Sequence, residues 1–248
     1  MGWHLPLHPV EQSLQPPDYF LYVLDVLILS LAGNWTAAYI MYIKKGFKDK
    51  SYGMPLAALC VNLGWEFVYG FIYPQGPGEI PWFICDCVLV WMSVKYGRDE
   101  WRKSGNSPLI VDNLGVLMVF GCVWASVMNW ALIVTCPTVD IASFYSGFIT
   151  QLFLGSYSVF HLVLRDNTKG HSLPIWACRW AGSSSAMLIF WWRYFHYPES
   201  WPLVETPLIL FVWFSFQLAD ISYPFVYRNV RRRELAREAA AALEGKKQ

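Results

Sequence analysis

The sequence predicts an all-α protein, a bundle of seven transmembrane helices with a lumenal N-terminus and a cytosolic C-terminus. Three observations lead there. Of its 248 residues 55% are hydrophobic and only 15% charged, and the mean hydropathy is +0.31, a more apolar balance than ordinary soluble domains carry. The apolar residues come in repeated runs of the roughly 20 residues that a helix needs to cross a hydrocarbon core of about 30 Å. Lysine and arginine then alternate strictly from one side of these runs to the other.

The predicted spans are 19–43, 53–73, 80–97, 111–134, 140–165, 173–195 and 204–227. Between them lie KKGFKDKSYG, PQGPGE, GRDEWRKSGNSPLI, CPTVD, RDNTKGH and HYPESWPL, most with the Gly, Pro, Asn or Ser that ends a helix and none long enough for a folded extramembrane domain. Lys44, Lys45, Lys48 and Lys50 follow span one; Lys95, Arg98, Arg102 and Lys103 follow span three. Arg165 and Lys169 follow span five, and Arg228, Arg231, Arg232, Arg233, Arg237, Lys246 and Lys247 follow span seven. The segment before span one and the second, fourth and sixth loops contain no Lys or Arg. Cytosolic loops retain basic residues, so this alternation sets the orientation.

The chain therefore divides into a lumenal segment 1–18, a seven-helix domain 19–227 and a basic cytosolic tail 228–248. The first segment is polar and Pro-rich, without the basic start and cleavage site of a secretory signal, so span one reads as an uncleaved anchor and the endoplasmic reticulum as the membrane of a eukaryotic source. The Ala-rich tail has helix propensity and reads more readily as a solvated stop-transfer segment than as a helix lying on an anionic leaflet. Six scattered cysteines include the Cys85-x-Cys87 pair, with no His or Cys cluster to complete a metal site, so they read as packing residues. The sequon at Asn34 lies inside span one, out of a modifying enzyme's reach.

Ionisable groups inside a bilayer cost at least about 2.5–3.5 kcal/mol each, so each one asks for a function or a partner. They are Asp25, Glu66, Asp86, His161, Arg179, Arg193 and Asp220. Helix rise puts Asp25, Glu66 and Asp86 in the lumenal half and His161, Arg179 and Asp220 in the cytosolic half. Arg179 and Asp220 come out at similar depth and can form an ion pair between spans six and seven. The lumenal acids have no nearby base, and crowded carboxyls in low dielectric resist ionisation. A neutral carboxyl is a general acid. Glu66 is the sharpest candidate, because Asn62 at i−4 and Tyr69 at i+3 share its face and Trp65 and Phe67 flank it with apolar surface. A structural polar cluster between helices is the competing account. Of the 14 Trp, 14 Tyr and 16 Phe, many mark span ends, while Trp65, Trp91, Trp124, Trp191, Trp192 and Trp213 lie deeper, where ring faces stabilise cations.

At SYGMPL, NLGWEFVY and LADISYP the sequence resembles the small integral-membrane terpene cyclases of fungal meroterpenoid and indole-diterpene pathways, and the resemblance spans essentially the whole chain. It implies an enzyme of isomerase or lyase type that protonates the terminal epoxide of a prenylated aromatic or polyketide substrate, or of an epoxidised prenyl-indole. Ring opening gives a tertiary cation, alkenes close rings in succession, and a proton is lost. The resemblance implies no metal or redox cofactor and assigns catalysis to an acid on span two and one on span seven, matched here by Glu66 and Asp220. Asn62, Trp65, Tyr69, Asp25, Asp86 and Arg179 are the expected supporting residues. Neither DDxxD nor DxDD occurs, so diphosphate ionisation and protonation of a bare alkene lack their usual acids. Helix rise separates Glu66 and Asp220 by about 10 Å along the membrane normal, which argues against direct contact. The expected partners are a lipid bilayer and a small prenylated molecule that enters from lipid, with no nucleic acid. A seven-helix receptor or retinal protein is disfavoured because span seven has no Lys and the loops are too short for elaborate ligand or partner docking, and a small transporter because no internal repeat is evident.

Overall fold

The computed structural model describes residues 3–76, 78–103 and 107–245, and among these there is helix and no strand. The helices are α1 (Pro9–Leu14), α2 (Asp18–Asp49), α3 (Leu56–Phe67), α4 (Glu79–Lys103), α5 (Pro108–Asp112), α6 (Leu114–Thr135), α7 (Val139–Arg165), α8 (Leu173–His196) and α9 (Pro207–Gly245). A π turn, Val68–Ile72, continues α3, and two 3-10 turns, Pro198–Ser200 and Pro202–Glu205, precede α9.

Among the described residues five helical stretches are long and apolar enough to cross a membrane: Asp18–Asp49, Glu79–Arg102, Leu114–Thr135, Val139–Arg165 and Pro207–Glu244. Two expected spans fall outside that set. Leu56–Ile72 is apolar but shorter, and α8 is 24 residues long but diluted by Arg179, Ser183, Ser184, Ser185, Arg193 and His196. The outward face of α6 is built of exposed Val116, Val119, Phe120, Val123, Trp124, Val127 and Val134. Such a face suits lipid rather than water.

Small residues bring the helices together where lipid-like surroundings give apolar side chains no drive to associate. α3 packs between α4, α6 and α7. A Cβ on Gly64 of α3 would lie 2.7 Å from the Ala125 Cβ of α6, and one on Gly121 of α6 would lie 2.8 Å from the Cys60 sulfur of α3. α2 packs on α8 in the same way: a Cβ on Gly182 would meet the Trp35 ring at 2.5 Å, and Ser30 hydrogen-bonds Ser185 at 2.9 Å. α7 pairs with α9 around Phe144, Phe148, Val212, Trp213 and Phe216.

Both chain ends differ from simple tails. Residues 3–17 fold back on the bundle, where Glu11 is buried and accepts from Arg193 Nε at 2.6 Å. His4 contacts Asp25 at 2.8 Å and the Leu5 N–H donates to the same carboxylate at 3.1 Å. α9 runs unbroken through Pro224 for 39 residues, about 58 Å at 1.5 Å per residue and roughly twice the hydrocarbon thickness. Its distal part is tied to the α7–α8 loop: Thr168 donates to Glu234 at 2.6 Å and Arg237 to Asp166 at 2.5 Å. The basic segment is thus a docked helical extension up to residue 245, while Lys246 and Lys247 lie outside the described residues, as does the Lys103 side chain. Asn34 of the sequon is engaged within its own helix, donating to the Ser30 carbonyl at 2.8 Å.

The close approach at Gly64 is testable. Gly64→Leu is expected to lower stability by about 1–3 kcal/mol or more through overpacking, read as earlier thermal unfolding in detergent. Gly33→Ala meets nothing within 4 Å and is expected to leave unfolding unchanged or to delay it slightly. Equal behaviour of the two variants would refute the packing argument.

Candidate active site

Two buried polar clusters each draw a tyrosine from α2. The first joins α2, α3 and α4. Glu66 sits on α3 with Asn62 one turn before it, as helical spacing requires, and Asn62 Nδ2 donates to Glu66 Oε1 at 2.9 Å. The same nitrogen reaches Asp86 Oδ2 of α4 at 2.7 Å and the Tyr39 hydroxyl oxygen of α2 at 2.6 Å. The Tyr39 hydroxyl in turn donates to Glu66 Oε1 at 2.5 Å. Glu66, Asp86, Tyr39 and Asn62 are each at most 5% exposed.

Two properties set this cluster apart. Its two carboxyls form no ion pair among the described residues, and only neutral donors answer them. Glu66 Oε2 and Asp86 Oδ1 are buried without any hydrogen-bond partner. Buried polar atoms are otherwise nearly always paired, so an orphan oxygen on each of two neighbouring carboxyls marks a place where a proton or a ligand group belongs.

The second cluster joins α8 and α9. Arg179 and Asp220 form a hydrogen-bonded ion pair, each 1% exposed, as their matched depth and opposite charge predict. Trp176 Nε1 caps the Asp220 carbonyl at 2.9 Å, and Tyr42 of α2 faces Arg179, Asp220 and Ser158. Arg179 Nε is left without a partner. Breaking such a pair by removing one member costs about 3–5 kcal/mol, because the other charge stays buried.

Tyr39 and Tyr42 lie three residues apart on α2, a rise of about 4.5 Å, so neighbouring positions of one helix serve both clusters.

Other expected members lie elsewhere. Asp25 is 14 residues before Tyr39 on α2, about 21 Å along the helix, and serves to hold the N-terminal segment through His4 and Leu5. Tyr69 does not reach Glu66; the π turn rotates it toward α7, where its hydroxyl accepts from Ser146 at 3.2 Å. Trp65 Nε1 donates to the same Ser146 hydroxyl at 3.1 Å, and its ring lies 5.0 Å from that of Tyr69. Phe67 is 38% exposed rather than a wall of the cluster. His161 belongs to a separate chain, 3.0 Å from His171 and 3.3 Å from Arg165, and Arg193 to the N-terminal contact with Glu11. The residue that sequence reading misses is Tyr39, which holds Glu66 more closely than any other donor.

Residues 10–233 match the family described as Pyr4-like transmembrane terpene cyclases. The chain is 42% identical over 235 residues to the Pyr4-family terpene cyclase mfmH of Annulohypoxylon moriforme, covering 93% of this chain and 96% of the relative. It is 34% identical to terpene cyclase macJ of Penicillium terrestre, over 88% of this chain and 83% of the relative. Asnovolin H synthase nvfL of Aspergillus novofumigatus is 30% identical, over 88% and 90%. No solved structure matches. With the family matched over nearly its whole length, the chain belongs to the Pyr4-like transmembrane terpene cyclases.

Proposed function

We propose that this terpene cyclase opens the terminal epoxide of a prenylated aromatic or polyketide substrate and drives cation–olefin polycyclisation, with Glu66 as the acid. The observation that carries the reading is the orphan oxygen of Glu66 beside Asp86. Two adjacent buried carboxyls without a cation are most stable with a proton shared between them, and that proton is the reagent an epoxide needs. Tyr39 and Asn62 hold Oε1, which leaves Oε2 without a protein donor and free to carry that proton.

Protonation of the epoxide oxygen breaks its bond to the more substituted carbon and leaves a tertiary cation. Alkene attack closes rings, and loss of a carbon-bound proton ends the sequence. One proton enters and one leaves, so the product is an isomer of the epoxide and no redox partner is needed. Asp220, the anion of a charged pair, divides the labour with Glu66 by orienting the chain or taking the terminal proton. Asp86 shares the proton of Glu66 and Arg179 fixes Asp220; Trp65 and Tyr69 brace the α3–α7 contact behind the acid. Seven spans, a lumenal N-terminus, a cytosolic C-terminus and residence in the endoplasmic reticulum complete the proposal, supported by the alternation of basic residues.

Expression in a host supplied with an epoxyfarnesyl aromatic acid ester, and separately with an epoxygeranylgeranyl indole, is expected to convert the first into cyclised isomers identified by mass and NMR. Conversion of the indole alone moves the substrate class to the indole diterpenes, and conversion of neither by folded protein defeats the assignment. Glu66→Gln keeps an acceptor for Tyr39 but carries no acidic proton, so turnover is expected to fall at least about 100-fold with little change in unfolding temperature. Asp220→Asn is expected to lose both activity and stability, the latter by about 3–5 kcal/mol. The double variant Arg179→Met/Asp220→Leu removes both charges and is expected to recover folding but not cyclisation; recovered cyclisation would reduce Asp220 to a structural partner. In sealed microsomes a C-terminal tag is expected to be digested by added protease and an N-terminal tag protected, and the reverse pattern would overturn the topology.

A further inference from the structure

Three segments that are distant in sequence converge on a cavity of about 600 Å³ at one end of the bundle. Lys50 caps α2, Lys95, Tyr96, Asp99 and Glu100 come from α4, Arg165 ends α7, and Asn167 and Lys169 follow in the loop to α8. The floor is rigid. Arg165 donates through Nε to Glu100 at 2.6 Å, through one terminal nitrogen to the Tyr52 carbonyl at 2.7 Å, and through the other to the Ser51 hydroxyl at 2.7 Å as well as to Glu100. Its guanidinium also lies 4.7 Å from the centre of the Tyr52 ring. With its donors committed, Arg165 shapes the basin and leaves ligand binding to the lysines.

The lysines are differently placed. Among the described residues Lys50, Lys95 and Lys169 form no ion pair; the Lys95 ammonium rests 4.4 Å from the centre of the Trp91 ring. Glu100 offsets Arg165 and Asp99 offsets one lysine, which leaves the basin with an excess of two positive charges. Retention of lysines on one side of a membrane scatters charge but does not by itself gather it from three segments into one concavity. One turn back from Lys50 on α2 and from Lys95 on α4 the surface is apolar: Phe47 and Trp91 are each 47% exposed with ring centres 6.0 Å apart.

We infer that this basin binds the phosphate-bearing headgroup of an anionic phospholipid, with the acyl chains running down the Phe47 and Trp91 face. Basic pockets between transmembrane helices on the cytosolic side suit such headgroups, each lysine adding attraction that a neutral lipid does not feel. A soluble anion accounts for the charge but not for the apolar wall beneath it. A bound lipid would tie the ends of α2, α4 and α7 to one another, and a ligand that binds the folded form alone stabilises it. The leaflet assignment rests on the topology proposed above, whereas binding itself does not, so the protease test and the following one fail independently.

Purified protein in a neutral detergent is titrated with dioctanoyl phosphatidylinositol 4-phosphate, dioctanoyl phosphatidylcholine and inositol 1,4-bisphosphate, with binding read by native mass spectrometry and by thermal unfolding. The phosphoinositide is expected to bind and to raise the unfolding temperature, and the other two to do neither. Lys50→Gln/Lys95→Gln/Lys169→Gln is expected to weaken its binding at least about tenfold. Lys44→Gln/Lys48→Gln/Arg232→Gln removes the same charge from exposed positions outside the cavity and is expected to bind normally. Equal loss in both triple variants would reduce the effect to diffuse charge, equal binding of phosphatidylcholine would remove headgroup recognition, and equal binding of the bisphosphate would make this a soluble-anion site; each overturns the inference.

Discussion

Hydrocarbon offers no hydrogen-bond partner, so every polar side chain that a membrane helix carries inward must be answered by another part of the protein. That constraint organises this bundle. At Arg179–Asp220 the answer is opposite charge, reinforced by Trp176 on the Asp220 carbonyl. At Glu66–Asp86 the answer is neutral and incomplete: a phenol and an amide satisfy one oxygen of each carboxyl and leave the other bare. One cluster balances its acid with a cation and the other holds two carboxyls with none.

Placement of the open cluster follows from helix packing. Gly64 and Gly121 let α3 and α6 approach closely, and α3 also packs against α4 and α7. This sets Glu66 toward Asp86 of α4 and Tyr39 of α2, while Trp65, the next residue around the helix, turns to Ser146 of α7. α2 then contributes Tyr39 to one cluster and Tyr42 to the other. One turn of α2 therefore contributes a tyrosine to the surroundings of each acid that the proposed reaction uses.

Much of this is legible in the sequence where the cause is local or conspicuous. Asn62 and Glu66 are four residues apart, and a helix alone brings them together. Arg179 and Asp220 are opposite charges in apolar runs, which leaves few alternatives to pairing. Tyr39 is not legible, because one phenol among 14 tyrosines resembles packing or an interfacial belt until the fold sets it against α3. Tyr69 is misplaced for a different reason: the i+3 rule assumes a regular helix, and the π turn at Val68–Ile72 breaks it. Asp25 looks like a third member of an acidic layer only while the N-terminal segment is read as a free tail; once His4 and Leu5 fold back, the carboxylate has its own partners. The buried Glu11–Arg193 pair is hidden likewise, since it joins residues 182 positions apart.

The difference between the clusters bears on how two acids can serve one proposed reaction. A carboxylate paired with a guanidinium is a poor proton donor, since giving it a proton would strand the buried cation. A carboxyl beside another carboxyl, with no cation at hand, is a poor anion for the complementary reason. Asp220 and Glu66 thus differ in their neighbours rather than in their own chemistry, one set beside a cation and the other beside a second carboxyl. In an epoxide-opening cyclisation the proton has to be present at the start and a negative charge has to be present as the cation forms. A bundle that keeps two distinct carboxyl environments meets both requirements at once, which a single acid cycling between the two states would have to meet in sequence.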